Sequence, residues 1–181
     1  MGQTYRILLV DDEQKVLDAY MDILARTEDI GIKELRNMAS ALFADENDVK
    51  EFEKTTNHTI FTGNVIAENI KLRLDTAQQG EEAVSMVKDA LEEGDPYLVA
   101  VLDMRMPPGI NGFETAQQLI ELDPNIEICF ITAYSDTPFE AIAKTLGAGR
   151  FLLLRKPVNT QELTQTIQFL GEHGYKCHKD R

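Results

Sequence analysis

Four uninterrupted apolar runs divide the chain, and each stops on polar chemistry. Ile7-Leu8-Leu9-Val10 runs into Asp11 and Asp12, and Leu98-Val99-Ala100-Val101-Leu102 into Asp103. Ile128-Cys129-Phe130-Ile131 runs into Thr132, and Phe151-Leu152-Leu153-Leu154, by way of Arg155, into Lys156. Runs this short and this apolar predict strands buried on both faces of a parallel sheet. A fifth segment, about Ile70 to Leu74, alternates apolar and charged residues and predicts an edge strand with one wet face.

Helical periodicity fills the gaps between these strands. Val16, Tyr20, Ile23 and Leu24 share a face from about Gln14, as do Ala83, Val84, Val87 and Leu91 after Gly80. Phe113, Ala116, Leu119 and Ile120 mark a third helix. Thr137 as cap, Pro138 at the first helical position and Glu140 as the return partner start a fourth. Asn159 and Glu162 repeat the capping spacing before Leu163, Ile167 and Leu170, and Gly171 to Gly174 reads as the end of that last helix. Strand and helix in alternation predict an α/β fold: a doubly wound, five-stranded parallel sheet with helices on both faces.

Strands of such a sheet all point their carboxyl ends to one edge, where ligands bind. Three carboxylates, a hydroxyl and an ammonium then converge. Two carboxylates about 4 Å apart repel by about 4 kcal/mol at an effective dielectric of 20, so three of them call for more counter-charge than one lysine supplies. A hard divalent cation such as Mg2+ meets that need, and Asp103 becomes a candidate nucleophile as well as a ligand. Taken singly, an aspartate after an apolar run reads as a helix cap or turn residue, and Lys156 as a surface charge. No structural need places acid, acid, hydroxyl and base at four successive strand ends.

The stretches Leu8-Leu9-Val10-Asp11-Asp12-Glu13, Leu102-Asp103-Met104-Arg105-Met106-Pro107, Ile131-Thr132-Ala133 and Lys156-Pro157 together resemble the receiver domain of two-component response regulators. The resemblance implies a flavodoxin-like strand order 2-1-3-4-5 and a single receiver domain over about 1–175 with a polar tail at 176–181. It implies Asp103 as phosphoacceptor, Asp12 with Asp11 in support as Mg2+ ligands, and the backbone carbonyl of Arg105 as a further metal contact. Thr132 and Lys156 would each take a phosphoryl oxygen, and the Lys156-Pro157 peptide would be cis. The donor would be a histidine kinase or phosphotransfer protein, and the only catalysis expected is of the domain's own phosphorylation and dephosphorylation. The family's switch aromatic stands where this chain has Leu153. Phe151, two residues earlier on the same face, and Tyr134 are therefore the switch candidates.

The chain departs from that family most in about forty residues, roughly 29–68, before the second strand. Ile32, Leu35, Met38, Ala39, Leu42 and Phe43 lie there at helical spacing, predicting a mostly helical insertion. It would pack on the domain's own flank or present an apolar face to a partner, including a second copy as a homodimer. The loop Pro107-Pro108-Gly109-Ile110-Asn111-Gly112 is one residue longer than the usual pattern.

Composition narrows the reading further. A formal net charge of −13 with scattered Lys and Arg argues against direct nucleic-acid binding. No apolar run approaches a membrane span and the start lacks a signal-peptide pattern, so a cytoplasmic location is expected. The two cysteines, Cys129 and Cys177, make no disulfide framework. His173, Cys177 and His178 read as an incidental trio in the tail. Two other function classes bear comparison. A Mg2+-dependent phosphohydrolase of the haloacid-dehalogenase type uses similar residues, but in the reverse order and with a second acid where this chain has Arg105. A phosphate-independent interaction module is the other.

Overall fold

All four apolar runs become parallel strands in the computed structural model, which describes residues 3–25, 70–133 and 139–179. The strands are β1 (Gln3–Val10), β2 (Ile70–Ala77), β3 (Val99–Asp103), β4 (Glu127–Thr132) and β5 (Phe151–Arg155). They form one sheet in the order β2-β1-β3-β4-β5, every pair parallel. β2 is the expected edge strand, but it runs three residues past Leu74. Its last residues are held in register with Leu8, Leu9 and Val10 of β1, and pairing to a neighbour extends a strand beyond its hydrophobic pattern. The insertion expected at about 29–68, Tyr134, and the cap formed by Thr137 and Pro138 lie outside the described residues.

Helix α1 covers residues 14–25, followed by α2 (Gly80–Glu92), α3 (Gly112–Leu122), α4 (Phe139–Leu146) and α5 (Thr160–Lys179). Two cores result, one on each face of the sheet. α1 supplies Leu17, Tyr20 and Leu24, and α5 supplies Leu163, Ile167 and Leu170, against Ile7, Leu9, Val101 and Ile131. On the other face Ala83 and Val87 of α2, Ala116 and Leu119 of α3 and Ile142 of α4 cover Leu8, Val10, Leu102 and Phe130. Alternation along β1, β3 and β4 therefore feeds both cores, which is why those runs are apolar throughout. β5, at the other edge of the sheet, is not buried on both faces as expected: Leu152 is 38% exposed and Arg155 is exposed.

α5 departs from expectation. It does not end at Gly171 to Gly174 but continues to Lys179. Both glycines are buried, and a Cβ at Gly171 would overlap the Tyr5 ring, while one at Gly174 would stand 2.8 Å from the Leu98 carbonyl oxygen. They let the helix lie close on β1 and the start of β3; they do not stop it. The residues read as a polar tail from 176 onward are thus the helix's last turn through Lys179, and His178 Nε2 stands 2.7 Å from the buried Asp123 carboxylate.

Candidate functional site

In the order 2-1-3-4-5 the chain leaves β1 toward one side for β2 and returns on the other for β3, so a crevice opens between the carboxyl ends of β1 and β3. Asp11 follows β1 and Asp103 closes β3, side by side across that crevice. β4 and β5 bring the other two ends alongside: the Met104 N–H donates to the Ile131 carbonyl at 3.1 Å, and the Lys156 N–H to the Thr132 carbonyl at 2.9 Å. Register alone thus delivers the four strand ends to one place.

The side chains meet there. Lys156 Nζ is 2.6 Å from Asp103 Oδ1 and 2.9 Å from Asp11 Oδ2. The Arg105 N–H donates to Asp103 Oδ2 at 2.7 Å, and the Glu13 N–H to Asp11 Oδ1 at 3.0 Å. Both carboxylates are buried, at 1% exposure for Asp11 and 7% for Asp103. Asp12 is partly exposed, and among the described residues none makes a hydrogen bond or ion pair with its carboxylate. The Lys156-Pro157 peptide is cis, as is Pro107-Pro108.

Burial pushes the Asp103 carboxyl above its ordinary range, and the Asp11 charge adds to the rise. The hydrogen bond from Lys156, the Arg105 N–H and the lysine's charge offset part of it. Lys156 moves upward as well: burial works against its charge, but its bonds to Asp103 and Asp11 outweigh burial. The ammonium is therefore fixed as a cation between two carboxylates. Two buried carboxylates against one ammonium leave net negative charge, with the more accessible Asp12 next in sequence. Carboxylate oxygens of this kind suit a hard divalent cation such as Mg2+.

The loop after Asp103 is clamped from below. Gln79 and Glu81 of the α2 start accept the Gly109 and Ile110 N–H groups at 3.0 and 3.1 Å. Asn111 and Glu114 form a reciprocal capping box that starts α3. Gly112 lies against the Asp103 backbone so closely that a Cβ would overlap its carbonyl. Only glycine fits there.

The remaining sequence candidates are placed less centrally. The Thr132 hydroxyl stands at the strand end, 9% exposed, and donates to the Ala133 carbonyl at 2.9 Å. Phe151 opens β5 opposite Ile128, four residues upstream of Thr132's level, which is roughly 13 Å along a strand. It is buried on Phe130 with ring centroids 5.6 Å apart, so it does not line the pocket. Tyr20 is the residue sequence reasoning assigned only to the core. Burial above all, against the pull of the Lys156 ammonium and helped by the charges of Asp11 and Asp103, pushes its hydroxyl up to about 12. Tyr20 thus stands within the field of the pocket. Its apolar spacing on α1 carried no sign of that.

A family model for the response regulator receiver domain matches residues 57–168, more than half of the chain. Nodulation protein W of Bradyrhizobium diazoefficiens is 37% identical over 76 residues, 42% of this chain and 32% of that protein. The positive alginate biosynthesis regulatory protein of Pseudomonas aeruginosa is 30% identical over 93 residues, 51% of this chain and 34% of that protein. The chain thus spans about a third of the length of these curated relatives. Among solved structures, a two component transcriptional regulator AraC from Clostridium phytofermentans superposes with a TM-score of 0.61 at 19% identity, covering 98% of this chain and 99% of that one. A CheY-like response regulator receiver domain protein from Methanospirillum hungatei gives 0.57 at 19% identity, covering 96% and 98%. At such identity these two establish the fold. No helix among the described residues is long and apolar enough to cross a membrane.

Proposed function

The chain belongs to the response regulator receiver domain family, and on that premise we propose that it is a phosphorylation-switched receiver whose phosphoacceptor is Asp103. The observation that carries this reading is the bridge of Lys156 between Asp103 and Asp11 at 2.6 and 2.9 Å, which draws residues from β1, β3 and β5 into one acidic pocket. A histidine kinase or phosphotransfer protein would present phosphohistidine. An Asp103 oxygen attacks phosphorus in line, the P–N bond breaks, and its electron pair leaves on the imidazole while an aspartyl phosphate forms.

Each neighbour has work in that step. Lys156 is already held as an ammonium against the attacking carboxylate and neutralises a phosphoryl oxygen as charge spreads. The Arg105 N–H fixes one Asp103 oxygen and so orients the carboxylate. The Thr132 hydroxyl leaves the Ala133 carbonyl to donate to the phosphoryl group. Asp12, Asp103 and the Arg105 carbonyl, supported by Asp11, would hold Mg2+, which supplies positive charge to the transferring group.

Movement of Thr132 would be felt by Phe130, two residues away on the same face of β4, and through it by Phe151. Phe151 then acts as a switch residue beneath the pocket and biases two packings of α4, β5 and α5. Pairing with a second copy through the inserted segment is the further partner reading. Light scattering with and without beryllofluoride tests it, and a monomer in both conditions removes it. Receivers are signalling modules that catalyse no separate reaction, so turnover should stop at the protein's own phosphate.

Incubation with acetyl phosphate and Mg2+ tests the assignment. Label is expected on the wild type, lost on chelation and lost in Asp103→Ala. Label retained by Asp103→Ala would refute the phosphoacceptor, and sustained turnover of a generic phosphate ester would favour the phosphohydrolase reading.

A further inference from the structure

The trio His173, Cys177 and His178 is divided by the fold. His178 turns to Asp123, whereas His173 and Cys177, four apart on α5, face the first residue of β4. His173 Nδ1 is 2.8 Å from Glu127 Oε1 and 3.9 Å from Cys177 Sγ, and the three donor atoms all lie within 4.8 Å of one another. We propose that Glu127, His173 and Cys177 form a zinc(II) site with one open coordination position, at the opposite end of β4 from the phosphoryl pocket.

Donor chemistry selects the ion. A thiolate, an imidazole and a carboxylate form a mixed borderline set that suits zinc and serves Mg2+ poorly. Bond lengths of about 2.0 to 2.3 Å around a tetrahedral centre put donors roughly 3.3 to 3.8 Å apart. The observed 2.8 and 3.9 Å straddle that range, so small side-chain rotations accommodate the ion, which takes the place of the proton between His173 and Glu127.

The setting is half rigid and half open. Glu127 is 8% exposed and its N–H is fixed on the Leu98 carbonyl at 2.9 Å, so the carboxylate is delivered from a buried strand. The His173 side chain is 60% exposed, which leaves an entry path and room for water as fourth ligand. Asn125 donates to the Cys177 backbone carbonyl at 3.4 Å and so ties this turn of α5 to the segment just before β4. An ion here ties the last turns of α5 to β4 roughly 16 Å from Thr132, counted at about 3.3 Å per residue. The proposal does not depend on the phosphoryl reading.

The test uses the full chain, reduced, with excess Mg2+ to occupy hard-oxygen sites. Co2+ serves as the spectroscopic probe and Zn2+ as its competitor. A thiolate-to-cobalt charge-transfer band should appear, disappear on addition of equimolar Zn2+, and be absent in Cys177→Ser; the other cysteine, Cys129, is buried. Zn2+ affinity should fall by at least about tenfold in both Cys177→Ser and His173→Ala, since even outer-shell partners of a metal are worth that much. Unchanged urea midpoints without metal would show that both variants fold. Absence of the thiolate band in the wild type, or Zn2+ affinity within about twofold of wild type in both variants, would overturn the site and leave a plain acid–histidine hydrogen bond.

Discussion

Asp103 is a carboxylate kept where a charge is unwelcome. Burial raises its pKa while Lys156 and the Arg105 N–H hold it in place. A folded-state pKa above the unfolded value means the native protein binds the proton more readily. Stability attributable to the carboxyl is therefore lost as pH rises through and above the ordinary carboxylate range. Without divalent metal, the wild type should lose stability relative to Asp103→Asn from about pH 3 to about pH 7. Urea midpoints of the two proteins across that range check this, and a gap that moves the other way would contradict it. Asp11, Asp103 and Lys156 were legible because each ends an apolar run. Tyr20 was not, because a tyrosine at core spacing looks alike whether its hydroxyl meets a charged pocket or plain core.

At the scale of elements, periodicity located every described strand and helix, and the errors fell where packing overrules local propensity. Glycine is a helix stop only when nothing rewards its lack of a side chain. At Gly171 the reward is the Tyr5 ring and at Gly174 the Leu98 carbonyl, contacts with residues more than seventy positions earlier. Gly171→Ala should destabilise by about 1–2 kcal/mol, overlap with Tyr5 outweighing the helix propensity gained. Gly149→Ala, with nothing within 4 Å of the added carbon, should change stability by less than about 0.5 kcal/mol. Equal urea midpoints for the two variants would show that α5 does not need the close approach. The Asn111-x-x-Glu114 box at the start of α3 had the same spacing as Asn159 and Glu162 and was readable, though masked by the glycine and proline of the preceding loop.

For the whole molecule, the parallel sheet followed from strands alternating with helices and its strand order from the family resemblance, whereas the long-range polar contacts had no local signature. Arg6 donates to Asp75 at 2.9 Å and to the Asp95 carbonyl at 2.7 Å, lies 4.2 Å over the Tyr97 ring, and Tyr97 donates to Asp75 at 2.8 Å. Burial pushes Asp75 upward, but the hydrogen bonds of Tyr97 and Arg6 and the charges of Arg6 and Arg73 together hold it below its ordinary value. Its contribution is thus present above the ordinary carboxylate pKa and is lost as pH falls through the lower folded value. Asp75→Asn should cost about 2 kcal/mol at pH 7, a penalty that shrinks below about pH 4; a loss independent of pH would point to packing instead. On the proposed reading the backbone brings Asp11, Asp103 and Lys156 together so that residue 103, and no other, takes phosphorus. Borohydride reduction of the acetyl phosphate-treated protein, followed by peptide mass mapping, reads that directly, because an aspartyl phosphate is converted to homoserine. Homoserine at position 103 alone, and only when Mg2+ is present, is the expected result; homoserine at Asp11 or Asp12, or at none of the three, would contradict it.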